Sequence, residues 1–153
     1  MSEKLTVLEW HKQQAVTNFN AAWDLIEKAD RSWEDDLQMI HMAHASRYHW
    51  GEIGTPLQFS RGEWQISRVY AVLGMFESAL FHGKNSLKLC LENHIGDFDL
   101  AFAYEAIARA YMIDQNINSM MEYLQLAKEA AIHIGDPKER DYLLSELQTI
   151  SLD

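Results

Sequence analysis

Apolar residues recur at three-and-four spacing along nearly the whole chain, and polar caps and glycines break the pattern into seven helices. Thr6-Val-Leu-Glu9 is a capping box, with Leu5 and Trp10 as its hydrophobic staple. Behind it Val7, Leu8, Ala15, Val16, Phe19, Ala22, Trp23 and Ile26 keep one stripe to about Ala29. Ser32 with Asp35 opens a second helix in the same way. It turns Met39, Ala43, Ser46 and Trp50 inward and stops near Trp50, where Gly51 and Gly54 end it. Thr55-Pro56-Leu-Gln58 starts a third helix that runs to Leu73, and Gly74 permits a tight break. Phe76 to Leu91 forms the fourth, with Phe76, Ala79, Leu80, Leu87 and Cys90 on related faces. His94-Ile-Gly-Asp97 closes it and caps the fifth, Phe98 to Ile113. Asn116 caps the sixth, which runs to about Ile132, and His133-Ile-Gly-Asp136 with Pro137 opens the seventh. That last helix buries Tyr142, Leu143, Leu147 and Ile150 and leaves Lys138, Glu139, Asp141 and Glu146 for water, as a terminal lid does.

Composition agrees with an all-α protein. At 153 residues, 48% hydrophobic and 24% charged, the chain can bury one core and is short for two, so a single domain over 1–153 is expected. Two Pro and seven Gly are too few for the turns of an all-β fold. With 13 Lys+Arg against 23 Asp+Glu the net charge is −10, which sets nucleic acid and anionic membranes aside as partners. The acidity is uneven: residues 1–60 carry 5 − 9 = −4, residues 111–153 carry 3 − 8 = −5, and residues 61–110 only 5 − 6 = −1. A lone cysteine, Cys90, excludes an intrachain disulfide framework and a multi-cysteine zinc site, and suits a reducing compartment. No signal peptide and no apolar run of bilayer length is present, so a soluble, cytoplasmic protein is expected.

Sliding the chain on itself by 41 residues places Ile66, Arg68 and Tyr70 on Ile107, Arg109 and Tyr111, Ser67 on Ala108 and Ser86 on Ala127. His-Ile-Gly-Asp recurs at an offset of 39. Small residues fall where the two helices of a hairpin approach closely. Ile66-Ser67-Arg-Val-Tyr70 followed by Gly74, Ala79 and Ser86 resembles the tetratricopeptide repeat framework, in an extended form with a period near 40. Ile107-Ala108-Arg-Ala-Tyr111 with Ala127 repeats it, although Gln115 and Met120 replace the usual Gly and Ala, and Gly83 stands where an aromatic is usual. The resemblance covers roughly residues 33–136. It implies a right-handed stack of three antiparallel hairpins, about 6–50, 56–94 and 97–133, with a capping helix at about 137–152.

In that family the first helix of each hairpin lines a concave groove. The resemblance maps its inward positions onto Arg61, Trp64, Arg68 and Val72, and onto Phe102, Glu105, Arg109 and Ile113. Two arginines on equivalent turns suit a carboxylate or phosphate held by charge-assisted hydrogen bonds, and Trp64 and Phe102 offer flat apolar surface. The expected partner is therefore a peptide or protein segment, acidic if the arginines face solvent. Equally, Glu105 can pair with Arg109 one turn away and with Arg68 across the stack, as a structural ion cluster.

His41 and His44 share a helix face and are the candidate metal ligands, but His49 lies about 80° and 140° round from them, and no carboxylate sits one turn away. Both point away from the buried stripe, so a solvated face and no bound metal or cofactor are expected. Cys90 lies among leucines as a small core residue. No nucleophile elbow, dinucleotide fingerprint, P-loop or His-Glu-x-x-His occurs. Asp35-Asp36 and Asp97/Asp99 flank helix starts, where carboxylates complement the helix dipole.

Two function classes remain. The first is a noncatalytic binding or adaptor module. The second is an enzyme using the dense set of Arg47, Tyr48, His49, Trp50, Arg61, Glu63, Trp64, Arg68, Tyr104 and Glu105 near the joint of the first two hairpins. The first helix leaves an unprotected stack end through which a homodimer would form.

Overall fold

The computed structural model describes residues 4–152, and these contain seven α-helices and no strand. In chain order they are α1 (Val7–Glu27), α2 (Trp33–Ile53), α3 (Pro56–Val72), α4 (Phe76–Glu92), α5 (Asp97–Ile113), α6 (Ile117–Ala131) and α7 (Pro137–Leu147). None is long and apolar enough to cross a membrane.

The caps explain most of the boundaries. At Thr6/Glu9 and at Ser32/Asp35 each side chain accepts a hydrogen bond from the other residue's backbone N–H, which satisfies donors the helix start would leave orphaned. Gln58 accepts from the Thr55 N–H at 2.8 Å, and Asn116 from Ser119 at 3.1 Å. Two expectations are corrected. Helix α2 continues through Gly51 to Ile53 and stops at Gly54, whose N–H donates to the Trp50 carbonyl. The first His-Ile-Gly-Asp does not cap with its aspartate: Gly96 is the N-cap, and Asp97 sits inside the helix start with φ of 55°. In the second copy the aspartate does cap, Asp136 accepting from Lys138 at 2.8 Å.

Helices α3, α4 and α5 end alike. Gly74, His94 and Gln115 adopt φ of 74°, 54° and 59°, and the next residue donates back to the carbonyls of Tyr70, Cys90 and Tyr111. Gln115 thus takes the conformation of Gly74, its counterpart 41 residues earlier, without the freedom of glycine. Gln115→Gly should stabilise the chain by about 0.5–1 kcal/mol, the left-handed strain removed less the added freedom of the unfolded chain. A urea midpoint that falls instead would contradict this account.

Helices pair in order, α1 with α2, α3 with α4 and α5 with α6, and each second helix also packs on the helix that follows. The odd-numbered helices meet one another in turn, α1 on α3, α3 on α5 and α5 on α7. Buried residues form a large cluster under α5, α6 and α7, including Phe102, Leu124, Leu143, Leu147 and Ile150, and a second one of Ala22, Met39, Ala43, Ile66 and Val69 under α1, α2 and α3. Gly83 explains its own departure from the usual aromatic. A Cβ there would stand 3.3 Å from both Ile107 Cγ1 and Ser67 Oγ, so α4 lies close against α3 and α5 because the side chain is missing. Polar ties stitch the helices where small residues let them approach: Ser46 Oγ donates to the Ala15 carbonyl, Gln65 Nε2 to Phe19 and Ser67 Oγ to Ala79. Beyond these, Val7, Leu8 and Trp10 on α1 and Trp33 on α2 stay exposed.

Candidate functional site

The six groove residues expected from the sequence lie on one seam between α3 and α5, and all but Arg109 form its cross-helix rungs. The rungs rise one helical turn at a time. Arg61 donates to both carboxylate oxygens of Asp99, at 2.8 and 3.2 Å. One turn on, the rings of Trp64 and Phe102 meet edge to face, 5.4 Å between centroids. At the next turn Arg68 Nη2 lies 2.5 Å from Glu105 Oε1. Arg109 closes this end, 3.5 Å from the same oxygen.

The two ends of the seam differ in exposure, and this decides their chemistry. Arg68, Arg109 and Glu105 are 9%, 8% and 0% exposed, because α7 lies over them. Glu146, expected to face water, instead stands 3.1 Å from Arg68 and 3.7 Å from Arg109. Arg109 also donates to the Glu146 carbonyl and to the Thr149 hydroxyl. Two guanidiniums and two carboxylates balance, 2 − 2 = 0, within the protein. Desolvation is the largest influence on each guanidinium and opposes its charge. In Arg68 the carboxylates of Glu105 and Glu146 outweigh it and raise the pKa, whereas Arg109, with Arg68 as a like-charged neighbour, is lowered. Both remain charged, as arginine does in proteins. The expectation of arginines open to an acidic ligand is therefore corrected: of the two arrangements weighed, the structure contains the ion cluster.

The open part of the seam is its aromatic end. A cavity of about 320 Å³ lies where α1, α3, α5 and α7 converge, walled by Phe19, Trp23, Trp64, Phe98, Phe102 and Tyr142, with Ser60 and Ser86 among the residues lining it. The rings touch in sequence around the wall: Trp23 to Trp64 at 5.6 Å, Phe98 to Phe102 at 4.8 Å and Phe102 to Tyr142 at 5.6 Å. A second cavity of about 270 Å³ shares Phe19, Asn20 and Arg61 with it and extends towards Trp50 and Gln58. Phe19, Asn20, Trp23, Phe98, Asp99 and Tyr142 were not among the residues singled out for the groove. The helical stripes of α1 and α7 include Phe19, Trp23 and Tyr142, which is the only sequence signal for them.

The histidines separate. His41 is exposed, while His44 is not on a solvated face: it is half-buried, with Nε2 2.9 Å from the Tyr70 hydroxyl. Tyr70 stacks on His82, whose Nδ1 lies 2.8 Å from Glu63, and Glu63 stands 3.7 Å from Arg47. His49 belongs to a third place, paired with His11 at 2.8 Å beside Trp10 and Tyr48. The dense polar-aromatic set is thus three separate groups, with Tyr104 apart against Tyr123. Among the described residues no three His, Cys, Asp or Glu side chains converge as metal ligands. Burial pushes the Cys90 thiol up, away from the reactive thiolate.

Burial lowers His44 and His49 from the ordinary 6.5, with His82 acting on the first and His11 on the second in the same direction. Both are favoured neutral in the folded state, so the unfolded chain binds more protons below pH 6.5. Stability is then full above that pH and falls as the pH drops through 6.5 towards the lowered values. Urea midpoints should decline from about pH 7.5 to about pH 5.5, and His44→Gln should flatten the decline. An unchanged slope in the variant would assign the effect elsewhere.

No protein-family model matches the chain, and no curated protein matches it.

Proposed function

We propose that the protein is a noncatalytic binding module built as a tetratricopeptide-like stack of three hairpins, with α7 as its cap and its ligand on the face formed by α1, α3 and α5. The packing of each odd-numbered helix on the next supports this architecture, as does the shared left-handed ending of α3 and α5, 41 residues apart. The observation that carries the function is the aromatic-walled cavity, continuous with its neighbour through Phe19, Asn20 and Arg61. A concave site walled mostly by aromatic side chains with a few polar groups at its edge is the kind of place where proteins hold ligands.

The partner is a peptide or protein segment, or a small molecule, that puts an apolar group into this space. Charge on the partner contributes little, because Arg61, Arg68 and Arg109 already face carboxylates of the chain itself.

Asn20, exposed on α1 and lining both cavities, gives a test that spares the core. Immobilised wild type should retain a molecule from lysate, protein or small, that Asn20→Trp does not, as measured by mass spectrometry of both eluates. Identical eluates from the two proteins would remove the reading. The exposed Val7, Leu8 and Trp10 favour a homodimer through α1 as a separate property of the chain. Light scattering at twice 17.7 kDa, returning to 17.7 kDa in Leu8→Glu, would establish it.

A further inference from the structure

We propose that His11 and His49 form a transition-metal site that takes Zn²⁺ between their Nδ1 atoms, with Glu52 as the third protein ligand. The imidazoles come from different helices, His11 from the second turn of α1 and His49 from just before the last turn of α2, and their Nδ1 atoms lie 2.8 Å apart. The ring centroids are 5.1 Å apart, a distance that the nitrogen contact and the two ring radii fill between them, so each nitrogen points straight at the other. A neutral pair holds one proton at that spot. When a cation takes both lone pairs, the ring that carried the proton holds it on Nε2 instead, and both imidazoles stay neutral. Zn²⁺ binds histidine nitrogen at about 2.0–2.1 Å, so a tetrahedral angle sets the two nitrogens about 3.3 Å apart and the rings part by about 0.5 Å. Both side chains are half-buried and stand on separate helices, so small rotations suffice.

The surroundings select the ion. Imidazole nitrogens with one carboxylate suit Zn²⁺ and Cu²⁺, whereas Ca²⁺ and Mg²⁺ take oxygen ligands. Glu52 lies three residues beyond His49, on the same side of α2, exposed and close enough to act on that imidazole electrostatically. Its carboxylate does not yet converge with the two rings, and joining them is a rotation of an exposed side chain. Water completes the coordination of a site with so few protein ligands. Trp10 stands 5.2 and 5.1 Å from the two imidazoles and Tyr48 6.5 and 5.3 Å, which confines the rings to few orientations. The net charge of −10 draws cations to the chain. The start of α1 and the end of α2 form the open end of the first hairpin, opposite its connection at 28–32, so an ion held there fastens the two helices where no chain joins them.

The test uses the full chain without a histidine tag. Calorimetric titration with zinc chloride should give one ion per chain, and the thermal midpoint should rise with zinc concentration, since the ion binds the folded state. Cu²⁺ should bind more tightly than Zn²⁺, and Mg²⁺ should not bind. Long-range ¹H–¹⁵N spectra of the wild-type imidazoles should show Nδ1 of both His11 and His49 taking up the metal while the exposed His41 is unmoved. His11→Ala and His49→Ala should each weaken Zn²⁺ at least about tenfold, Glu52→Gln less, and His41→Gln not at all. Binding undiminished in His11→Ala or His49→Ala, equal loss in His41→Gln, one ion per two chains, or His11 and His49 ring nitrogens that stay unchanged at saturation overturns the proposal. Unchanged affinity in Glu52→Gln overturns the carboxylate ligand. Because the ring spectra are read on wild type, they decide the question even if an alanine variant unfolds.

Discussion

Glu105→Gln should destabilise the folded chain by about 3–5 kcal/mol, the usual cost of removing one partner from a buried ion pair. Glu105 is fully buried between Arg68 and Arg109, and the substitution leaves two buried guanidiniums facing only Glu146. The penalty comes less from the lost attraction than from the uncompensated charge that stays behind. Glu146→Gln should cost less, because that side chain retains contact with solvent. Replacing Arg68, Glu105 and Arg109 together by Leu, Met and Leu should recover much of the loss, since a buried ion cluster rarely outperforms apolar residues of similar volume. The check is the urea midpoint at constant slope. A single Glu105→Gln variant within about 1 kcal/mol of wild type would show that the guanidiniums reach water, and would reopen them to an acidic ligand.

The second large effect concerns α7. Leu143→Ala should cost about 2–5 kcal/mol, as truncation of a fully buried leucine does. The side chain packs in the same cluster as Phe102, Met120 and Leu124, so the loss should appear in all helices together, not as fraying of the last one. Thermal unfolding followed by far-ultraviolet dichroism and by tryptophan fluorescence tests this. Coincident shifts make α7 part of the cooperative core. A low-temperature step without change in the main transition would make it a loosely held strap.

What the sequence made legible follows the range of the interaction concerned. Caps at Thr6, Ser32, Thr55, Asn116 and Asp136 act across two or three residues and could be located without a structure. The resemblance to a helical repeat mapped Arg61, Trp64, Phe102 and Glu105 onto one inner face, and they meet between α3 and α5 because equivalent helices present equivalent faces. Its limit was any side chain whose surroundings come from another hairpin. Glu146 looks solvated on its own helix and is drawn inward by arginines 78 and 37 residues away. His44 looks outward until α3 and α4 bring Tyr70 and His82 against it. Asp97 shows a different limit: the same tetrapeptide caps once with its side chain and once does not, because the connection to the next helix differs.

The seam has a mechanical consequence. Its rungs tie α3 to α5 at three successive turns. Helix α1 packs on α3 less extensively, with the Gln65 hydrogen bond to the Phe19 carbonyl as its polar tie. The aromatic cavity lies across this boundary, with Phe19 and Trp23 on the looser wall and Trp64 and Phe102 on the clamped one. The cavity is thus bounded on one side by α1, which is held to α3 chiefly through its partner α2, and on the other by the ion-paired α3–α5 seam. The far end of α1, where Val7, Leu8 and Trp10 meet solvent, belongs to the same helix as the Phe19 and Trp23 wall, so the aromatic cavity and the exposed apolar end share one rigid element.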